Sequence, residues 1–320
     1  MLKPWRITID TNPDQCNLNC IMCDTHSIYN KNFKPTRKFM SKELLEKSID
    51  ESIKIGVKEI IPTTMGEPLL YKYMDVFVDK LLNTDIKLNL TTNGTFPNIG
   101  VKKWAEKLLP ILSDVKISIN SITPSVNEHI MRKDDTKRKV DDILEFISLR
   151  DKLYKDVSIT LQVTFLESNI DYLEDVIKFA IKHKINRVKG HQLWITFDEI
   201  KNESLQNSTV KIKKWNNFID KIEQYKNQIQ LVNFDKLTLQ NDSNIVPHEY
   251  SCPFLEKELW IDYNGDFNIC CAPSEKRVSL GKWGNIESRS IDNMFNSKEY
   301  LDLTRNYKNK DICKICSLRR

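Results

Sequence analysis

Cysteines dominate the chemistry that this sequence could perform. Cys16, Cys20 and Cys23 form a C-x3-C-x2-C triplet near the N-terminus. Three thiolates bind three irons of a 4Fe–4S cube and leave the fourth iron open to another ligand. A structural zinc site is the alternative, because zinc wants four ligands and His26 is close enough in sequence to be the fourth. The triplet therefore predicts a metal centre, and its spacing favours the iron–sulfur cluster.

The other five cysteines gather near the C-terminus, at Cys252, Cys270, Cys271, Cys313 and Cys316. The N-terminus lacks the apolar run of a signal peptide, and no later stretch approaches a membrane-spanning length. We therefore expect a cytoplasmic protein, whose thiols stay reduced, and this disfavours a disulfide framework. Metal ligation is the leading expectation for these cysteines as well, with a zinc ribbon as the alternative to an iron–sulfur cluster.

Composition narrows the class of protein. A chain of 320 residues with 40% hydrophobic and 29% charged residues suits one large α/β domain plus a small appendage. The formal net charge of +5 is spread along the sequence and is not gathered into a basic arm. Nucleic-acid binding is disfavoured for that reason. A nucleic-acid-binding protein or a purely zinc-binding protein is the alternative to an enzyme.

The elements that must position the cysteines follow a βα rhythm. Short β-branched runs alternate with amphipathic stretches, which is typical of a parallel sheet covered by helices. Six units predict a partial (β/α)6 TIM-like barrel, and the first cysteine triplet follows the first strand, at the mouth where barrel sites lie. The predicted strands are Arg6 to Asp10, Lys58 to Thr63, Ile86 to Thr92, Val115 to Asn120, Val157 to Phe165 and Asn186 to Gln192. The helical stretches are Ser41 to Ile55, Tyr71 to Leu82, Val101 to Leu108, Arg138 to Leu149 and Tyr172 to His183.

A second, smaller α+β domain is predicted at the C-terminus. The rhythm weakens after Gln192 and gives way to a polar helix and a loop-like run, so we place the domains at residues 1–240 and 241–320. Within the second, Glu258 to Cys271 predicts two strands around Asn264-Gly265, a strong hairpin signal. Ser290 to Tyr307 predicts a closing helix.

Together these motifs resemble the radical S-adenosylmethionine (AdoMet) superfamily over essentially the whole chain. The resemblance implies that Cys16, Cys20 and Cys23 carry a catalytic 4Fe–4S cluster, whose open iron binds AdoMet and yields a 5'-deoxyadenosyl radical. Met65-Gly66-Glu67-Pro68 resembles the family's Gly-Gly-Glu-Pro segment, and Thr91 to Gly94 resembles its Thr-Asn-Gly turn. The implied AdoMet-binding residues are Met22, Met65, Gly66, Glu67, Pro68, Thr92, Asn93, Ser118, Asn120 and Gln162, with a structural role open for the last three.

The C-terminal cysteines resemble the twitch form of the SPASM domain. That resemblance implies one auxiliary 4Fe–4S cluster, held by Cys252, Cys270, Cys313 and Cys316. Cys271 is then the spare thiol, and strand alternation would place it on the face opposite Cys270. It is interpreted either as a small buried residue or as a catalytic hydrogen-atom donor.

The predicted activity is hydrogen abstraction from an unactivated C–H bond, with electrons from a flavodoxin- or ferredoxin-type donor. Hydrogen delivery by Cys271 would make the enzyme an epimerase, whereas electron transfer to the auxiliary cluster would make it a dehydrogenase. A sugar or aminocyclitol is favoured, since fifteen residues precede Cys16 and leave no leader-binding domain there. The segment from Arg187 to Trp194 faintly resembles sugar-modifying twitch members, with Lys189, His191 and Trp194 as tentative substrate residues. The alternative is a peptide maturase that acts at an α-carbon or forms a thioether.

Overall fold

A computed structural model describes residues 2–62, 65–238, 246–272, 274–316 and 318–319. Nine strands in these ranges form one sheet. They are β1 Arg6–Ile9, β2 Glu59–Pro62, β3 Lys87–Thr92, β4 Leu112–Ser118, β5 Ser158–Phe165, β6 Arg187–Gln192, β7 Gln230–Val232, β8 Glu258–Ile261 and β9 Phe267–Asn268. Their order in the sheet is β7-β6-β5-β4-β3-β2-β1-β8-β9, and every neighbouring pair is parallel except β8 and β9.

Helices connect the strands and cover the outside of the sheet. They are α1 Lys42–Ile55, α2 Met74–Leu81, α3 Gly100–Leu108, α4 Pro124–Met131, α5 Thr136–Leu153, α6 Leu173–Lys182, α7 Thr209–Ile222, α8 Ser274–Arg277, α9 Ile291–Phe295, α10 Lys298–Asn306 and α11 Asp311–Lys314. Among the described residues no helix is both long enough and apolar enough to cross a membrane.

The alternation of side chains along the strands explains the partial barrel. Ile7, Ile60 and Leu161 are fully buried in the outer layer, where they pack in the main hydrophobic cluster. The alternate positions are polar, and they meet across the sheet: Arg6 lies in register with Glu59 on β2 and Glu258 on β8, and binds both carboxylates. Because the inner face carries polar side chains, the strands enclose a polar interior.

The predicted α/β class and partial TIM-like barrel are confirmed. All six predicted strands are present, with ends shifted by a few residues. The end of the second, Thr63, lies outside the described residues, as does the predicted domain boundary at 240/241. The predicted hairpin is also present, but β8 joins the parallel sheet beside β1, which the sequence pattern did not indicate.

Two local expectations are wrong. The segment Ser290 to Tyr307 is two helices, α9 and α10, because the Ser297 side chain accepts from the backbone N–H of Tyr300 and starts a new helix there. The second hairpin strand ends at Asn268, so Cys270 and Cys271 lie beyond it and strand alternation does not separate them. Their environments nevertheless differ, since Cys270 is half-buried and Cys271 is exposed.

Candidate functional site

The N-terminal cysteines lie in the loop between β1 and α1. All three are half-buried, and Cys16 and Cys20 pack against a buried cluster that contains Leu18 and Ile21. The sulfur of Cys23 accepts from the backbone N–H of His26 at 3.2 Å. Burial raises the pKa of each thiol, that of Cys23 to about 11, and Cys16 raises the pKa of both Cys20 and Cys23 further. Thiolates are stable in such a place only with a cationic centre among them, which fits an iron–sulfur cluster.

His26 does not complete a zinc site in this arrangement. Its Nε2 lies 3.1 Å from the carbonyl oxygen of Pro13, and its ring packs edge-on against Phe33. Nor do any three histidine, cysteine or acidic side chains, within the residues that the structure describes, converge closely enough to hold a single metal ion. Thiolates of a cubane each bind a different iron, so they need not converge as ligands of one zinc ion must.

Glu67 ties the cysteine loop to the ends of β2 and β3. Its carboxylate is fully buried and accepts from the Asn93 N–H at 2.7 Å, the Thr92 hydroxyl at 2.8 Å and the Leu69 N–H at 3.1 Å. Burial raises its pKa to about 7, against the opposing effect of these three donors. The Glu67 N–H in turn donates to the carbonyl of Gln15 at 2.8 Å. The three sequence motifs are therefore joined by hydrogen bonds.

Only glycine fits at positions 66 and 94, because neighbouring atoms lie too close for a side chain. A Cβ on Gly66 would stand 2.2 Å from the carbonyl oxygen of Asn12, so the β2 loop packs directly on the backbone of the cysteine loop. Gly94 has φ of +77° and faces Ile117, 2.7 Å from where its Cβ would be. Beside it, Asn93 donates to the side chain of Asn17 at 2.8 Å and approaches the Cys16 sulfur at 3.8 Å.

The remaining predicted AdoMet residues divide into two kinds. Ser118 and Gln162 lie side by side in register on β4 and β5, half-buried, and their side chains make no hydrogen bond to another described residue. Asn120 is different: its side-chain oxygen accepts from the Thr164 N–H at 2.8 Å and its carbonyl accepts from Asn169, so it serves the fold. Met65 lines the cavity described next, Met22 packs beside Cys16 and Cys20, and Pro68 is buried.

A cavity of about 840 Å³ opens at the mouth of the barrel. Aromatic and charged side chains from the ends of β1, β6 and β8 and from α8 line it, including Asp10, Trp194, Phe197, Trp260, Asp262 and Arg277. Cys271 lines it too and is exposed. The sequence did not single out Trp260 and Asp262. Their positions could have indicated the site: Glu258, Trp260 and Asp262 are two residues apart at the end of one strand, so their side chains point to the same face of the sheet.

Of the three candidate substrate residues, Trp194 alone lines the cavity. Trp194 stands at the cavity and is 52% exposed. Lys189 lies earlier on β6, in register with Gln162, and burial together with the nearby Arg6 and Arg187 lowers its pKa. His191 contacts the Thr164 hydroxyl through Nε2 at 3.3 Å. Lys189 and His191 alternate on β6 toward the polar face of the sheet, and neither lines this cavity.

The C-terminal cysteines form a second group. Cys252, Cys270 and Cys313 pack against the main hydrophobic cluster, and the pKa of Cys313 is raised to about 12, first by burial and then by Cys270, Cys252 and Cys316. The four thiols are therefore neighbours, although 64 positions separate the first from the last. The adjacent Cys270 and Cys271 thiols act on each other, which raises the pKa of Cys271 and lowers that of Cys270.

Arg319 fixes this second group. Its side chain is buried, and its nitrogens donate to the carbonyls of Cys313 at 3.0 Å and Tyr250 at 2.8 Å, with further bonds to Pro247 and His248. The Tyr307 hydroxyl accepts from the Cys252 N–H at 2.9 Å. The chain before Cys252 is thus held against the chain that carries Cys313.

Two family models match the chain. The model described as the radical SAM superfamily matches residues 13–180, and the one described as an iron–sulfur cluster-binding domain, SPASM, matches residues 252–317. The first match contains the N-terminal cysteine group, and the second contains the C-terminal group.

Curated relatives are GTP 3',8-cyclases. The one from Nautilia profundicola is 31% identical over 42% of this chain and 41% of its own length, and the one from Helicobacter pylori 26695 is 28% identical over 85% and 76%. The chain thus spans about two fifths of the first relative it matches.

Solved structures share the fold. Streptococcus suis SuiB bound to precursor peptide SuiA has a TM-score of 0.69 at 15% identity, covering 99% of this chain and 71% of its own. BtrN in complex with AdoMet and 2-DOIA has a TM-score of 0.51 at 16% identity, covering 99% and 94%. At these identities the likeness concerns the fold alone.

Proposed function

The chain belongs to the radical AdoMet superfamily, and on this premise we propose that it inverts or oxidises a carbinol carbon of a sugar- or aminocyclitol-type small molecule. AdoMet, a catalytic 4Fe–4S cluster and auxiliary iron–sulfur binding are implied by its two matched domains. Inversion is the favoured outcome. The observation that carries it is the exposed thiol of Cys271, which lines the 840 Å³ cavity at the barrel mouth.

The proposed cofactor ligands follow from the two cysteine groups. Cys16, Cys20 and Cys23 hold the catalytic cluster. Glu67, with the backbone around Gly66 and Asn93, receives the amino group of AdoMet, and Ser118 and Gln162 offer polar groups that the fold leaves unengaged among the described residues. Cys252, Cys270, Cys313 and Cys316 hold one auxiliary cluster.

When bound and reduced, the catalytic cluster with AdoMet supplies a radical that removes a hydrogen atom from a substrate C–H bond. Cys271 then donates its S–H hydrogen atom to the substrate carbon from the other face. A new C–H bond forms with inverted geometry, and the sulfur is left as a thiyl radical. One electron from a flavodoxin- or ferredoxin-type donor and one proton restore the thiol. The raised pKa of Cys271 keeps it as a thiol, the form that can donate hydrogen.

The cavity lining supports a polar ring as substrate. Trp260 and Trp194 offer flat apolar faces, while Asp262, Lys276 and Arg277 surround them with charge. Such a mixture of aromatic faces and polar groups suits the C–H faces and hydroxyl or amino groups of a sugar-like ring.

Solvent isotope incorporation tests this proposal. Turnover in D2O is expected to place one deuterium on the inverted carbon, because the Cys271 S–H exchanges with solvent. Cys271→Ala is expected to abolish the inverted product while 5'-deoxyadenosine is still formed. Cys271→Ser keeps the size and polarity of the side chain and is expected to abolish inversion as well, because an O–H bond is too strong to donate a hydrogen atom to the substrate radical. Inverted product from Cys271→Ala would rule out the thiol as the donor.

Oxidation is the second outcome of the same site. If no hydrogen is returned, a carbinol radical loses one electron and one proton and becomes a carbonyl, and the group held by the four C-terminal cysteines would be the electron acceptor. An oxidised product that persists in Cys313→Ala would contradict that role.

Peptide maturation is a candidate because the rim of the cavity is apolar as well as charged. Trp194 and Ile195 are 52% and 46% exposed, and a peptide could cover them. SuiB, which shares the fold, is described as bound to a precursor peptide. Hydrogen loss from the α-carbon of a peptide, with no turnover of sugars or aminocyclitols, would favour this candidate.

A further inference from the structure

A buried ion pair lies behind the N-terminal cysteine loop. Lys139 at the start of α5 and Asp134 just before it are 1% and 0% exposed, with 2.7 Å between Nζ and Oδ2. Burying two charges is expensive, and removing one of them leaves the other uncompensated. Nothing in the proposed reaction uses this pair, so its position calls for a physical reason.

Lys139 reaches the cysteine loop through Met131. Its Nζ lies 3.2 Å from the Met131 sulfur, and Met131 belongs to the buried cluster on which Cys16 and Cys20 pack. The carbon stem of Lys139 passes 3.5 Å from the position that a Cβ on Gly94 would occupy. The Lys139 side chain therefore lies between Met131, which packs with the cysteine loop, and the Asn93-Gly94 turn.

Asp134 is held in place by Asn127 on α4. Its Oδ2 accepts from the Asn127 side chain at 2.6 Å, and Asn127 is itself fixed by the Asn120 N–H at 2.8 Å. The other oxygen of Asp134 is buried and accepts no hydrogen bond from the described residues. Each charge of the pair is thus fixed on α4, the ammonium at Met131 and the carboxylate at Asn127.

The pair lies close enough to the cysteine loop to act on a charge that is held there. The N–H of Ile21, next to Cys20, donates to the carbonyl of Ile130, next to Met131, at 2.9 Å. Charges act strongly on one another where water is excluded. Burial lowers the pKa of Lys139 itself, and Asp134, Cys20 and Glu67 oppose that effect in favour of the ammonium.

We propose that the Lys139–Asp134 pair sets the reduction potential of the catalytic 4Fe–4S cluster, with Lys139 stabilising the reduced form. Reduction adds one negative charge to the cluster, and nearby charge is one of the features that set such potentials. Lys139 is a positioning residue in this role, since it acts through the field at Cys20 and not by contact with substrate. The inference rests on assignment of Cys16, Cys20 and Cys23 as the cluster ligands.

A redox titration followed by electron paramagnetic resonance tests the pair without measuring turnover. In reconstituted full-length protein without AdoMet, Lys139→Met is expected to shift the midpoint of the N-terminal cluster to more negative potential. Asp134→Asn leaves the cation uncompensated, so it is expected to shift the midpoint in the opposite direction. Lys139→Arg keeps the charge and is expected to keep the midpoint close to that of the parent.

The controls separate an electrostatic role from a structural one. The C-terminal cluster is an internal reference whose midpoint is expected not to move. Lys80→Met removes one cation from an exposed pair with Asp50 and is expected to have no effect. Shifts of the same sign in Lys139→Met and Asp134→Asn, or unchanged midpoints with weaker AdoMet binding, would overturn the proposal. Loss of four irons from the Cys16/Cys20/Cys23→Ala variant checks the ligand assignment separately.

Discussion

The two cysteine groups are built in opposite ways. Cys16, Cys20 and Cys23 lie within one loop, and the ends of β2 and β3 hold that loop through Glu67 and Asn93. The C-terminal thiols come from segments far apart in sequence and are assembled by packing and by Arg319. The first group has three thiols, two of which pack on a small buried cluster, and the second has four, three of which pack against the main hydrophobic cluster. Three thiolates leave one iron of a cubane open for chemistry, whereas four close it.

Removal of the first group is expected to have the largest effect. The Cys16/Cys20/Cys23→Ala triple variant should retain about four irons of about eight and form no 5'-deoxyadenosine, since each cubane holds four. Cys313→Ala is the matched change in the second group and should still bind the N-terminal cluster. Iron and acid-labile sulfide after anaerobic reconstitution measure both. About four irons in the parent and none in the triple variant would mean that the C-terminal group holds no cluster.

Glu67 is expected to make the first region sensitive to pH. Its pKa rises from 4.5 to about 7 on burial, so the folded state holds the proton more tightly than the unfolded state does. Its contribution to stability is therefore present at low pH and is lost as the pH rises from about 4.5 through about 7. As the pH rises across that window, the free energy of unfolding of Glu67→Gln should increase relative to that of the parent by on the order of 3 kcal/mol. Denaturant unfolding of AdoMet-free protein at pH 5 and pH 8 measures this change, and parallel pH profiles would contradict it.

Gly66→Ala is expected to destabilise the same region by about 3 kcal/mol, because the new Cβ would overlap the Asn12 carbonyl at 2.2 Å. The Gly66→Ala substitution should also weaken AdoMet binding. Gly56→Ala at the end of α1 is the control: Gly56 has φ of +75° but nothing within 4 Å, so only backbone strain of about 1 kcal/mol is expected. Thermal unfolding compares the two. Equal losses would show that the loops do not pack as closely as described.

Arg319→Lys is expected to have the smallest effect, about 2 kcal/mol, confined to the C-terminal group. Lysine keeps the charge, but it cannot reach the carbonyls of Cys313, Tyr250 and Pro247 together, and such bonds are worth about 1.5–3 kcal/mol each. Hydrogen exchange around Cys252 and Cys313 should rise while the β1–α1 loop stays protected. Increased exchange in both regions would show that the two groups are not independent.

Much of the fold was accessible from local pattern. The βα rhythm predicted six strands and five helices, since burial on a parallel sheet repeats at short range and leaves period-2 and period-3.6 signals. The pairing of β8 with β1 could not be predicted from local sequence. Arg6 and Glu258 are 252 positions apart, and the residues around each of them indicate only an exposed charged side chain. The split between α9 and α10 was missed for another reason: the Ser297 cap lies inside an otherwise continuous helical pattern.

For the site, the sequence by itself determined which residue types are available and where the motifs fall. The spacing of the cysteines and the glycine at position 66 are covalent facts that any fold of this chain must respect. Tertiary structure decided which polar residues meet. It brought Cys271, Trp260 and Trp194 to one cavity, engaged Asn120 in the fold, and left Lys189 and His191 out of the cavity lining. Those outcomes depend on strand register and chain closure over long separations, which no local pattern encodes.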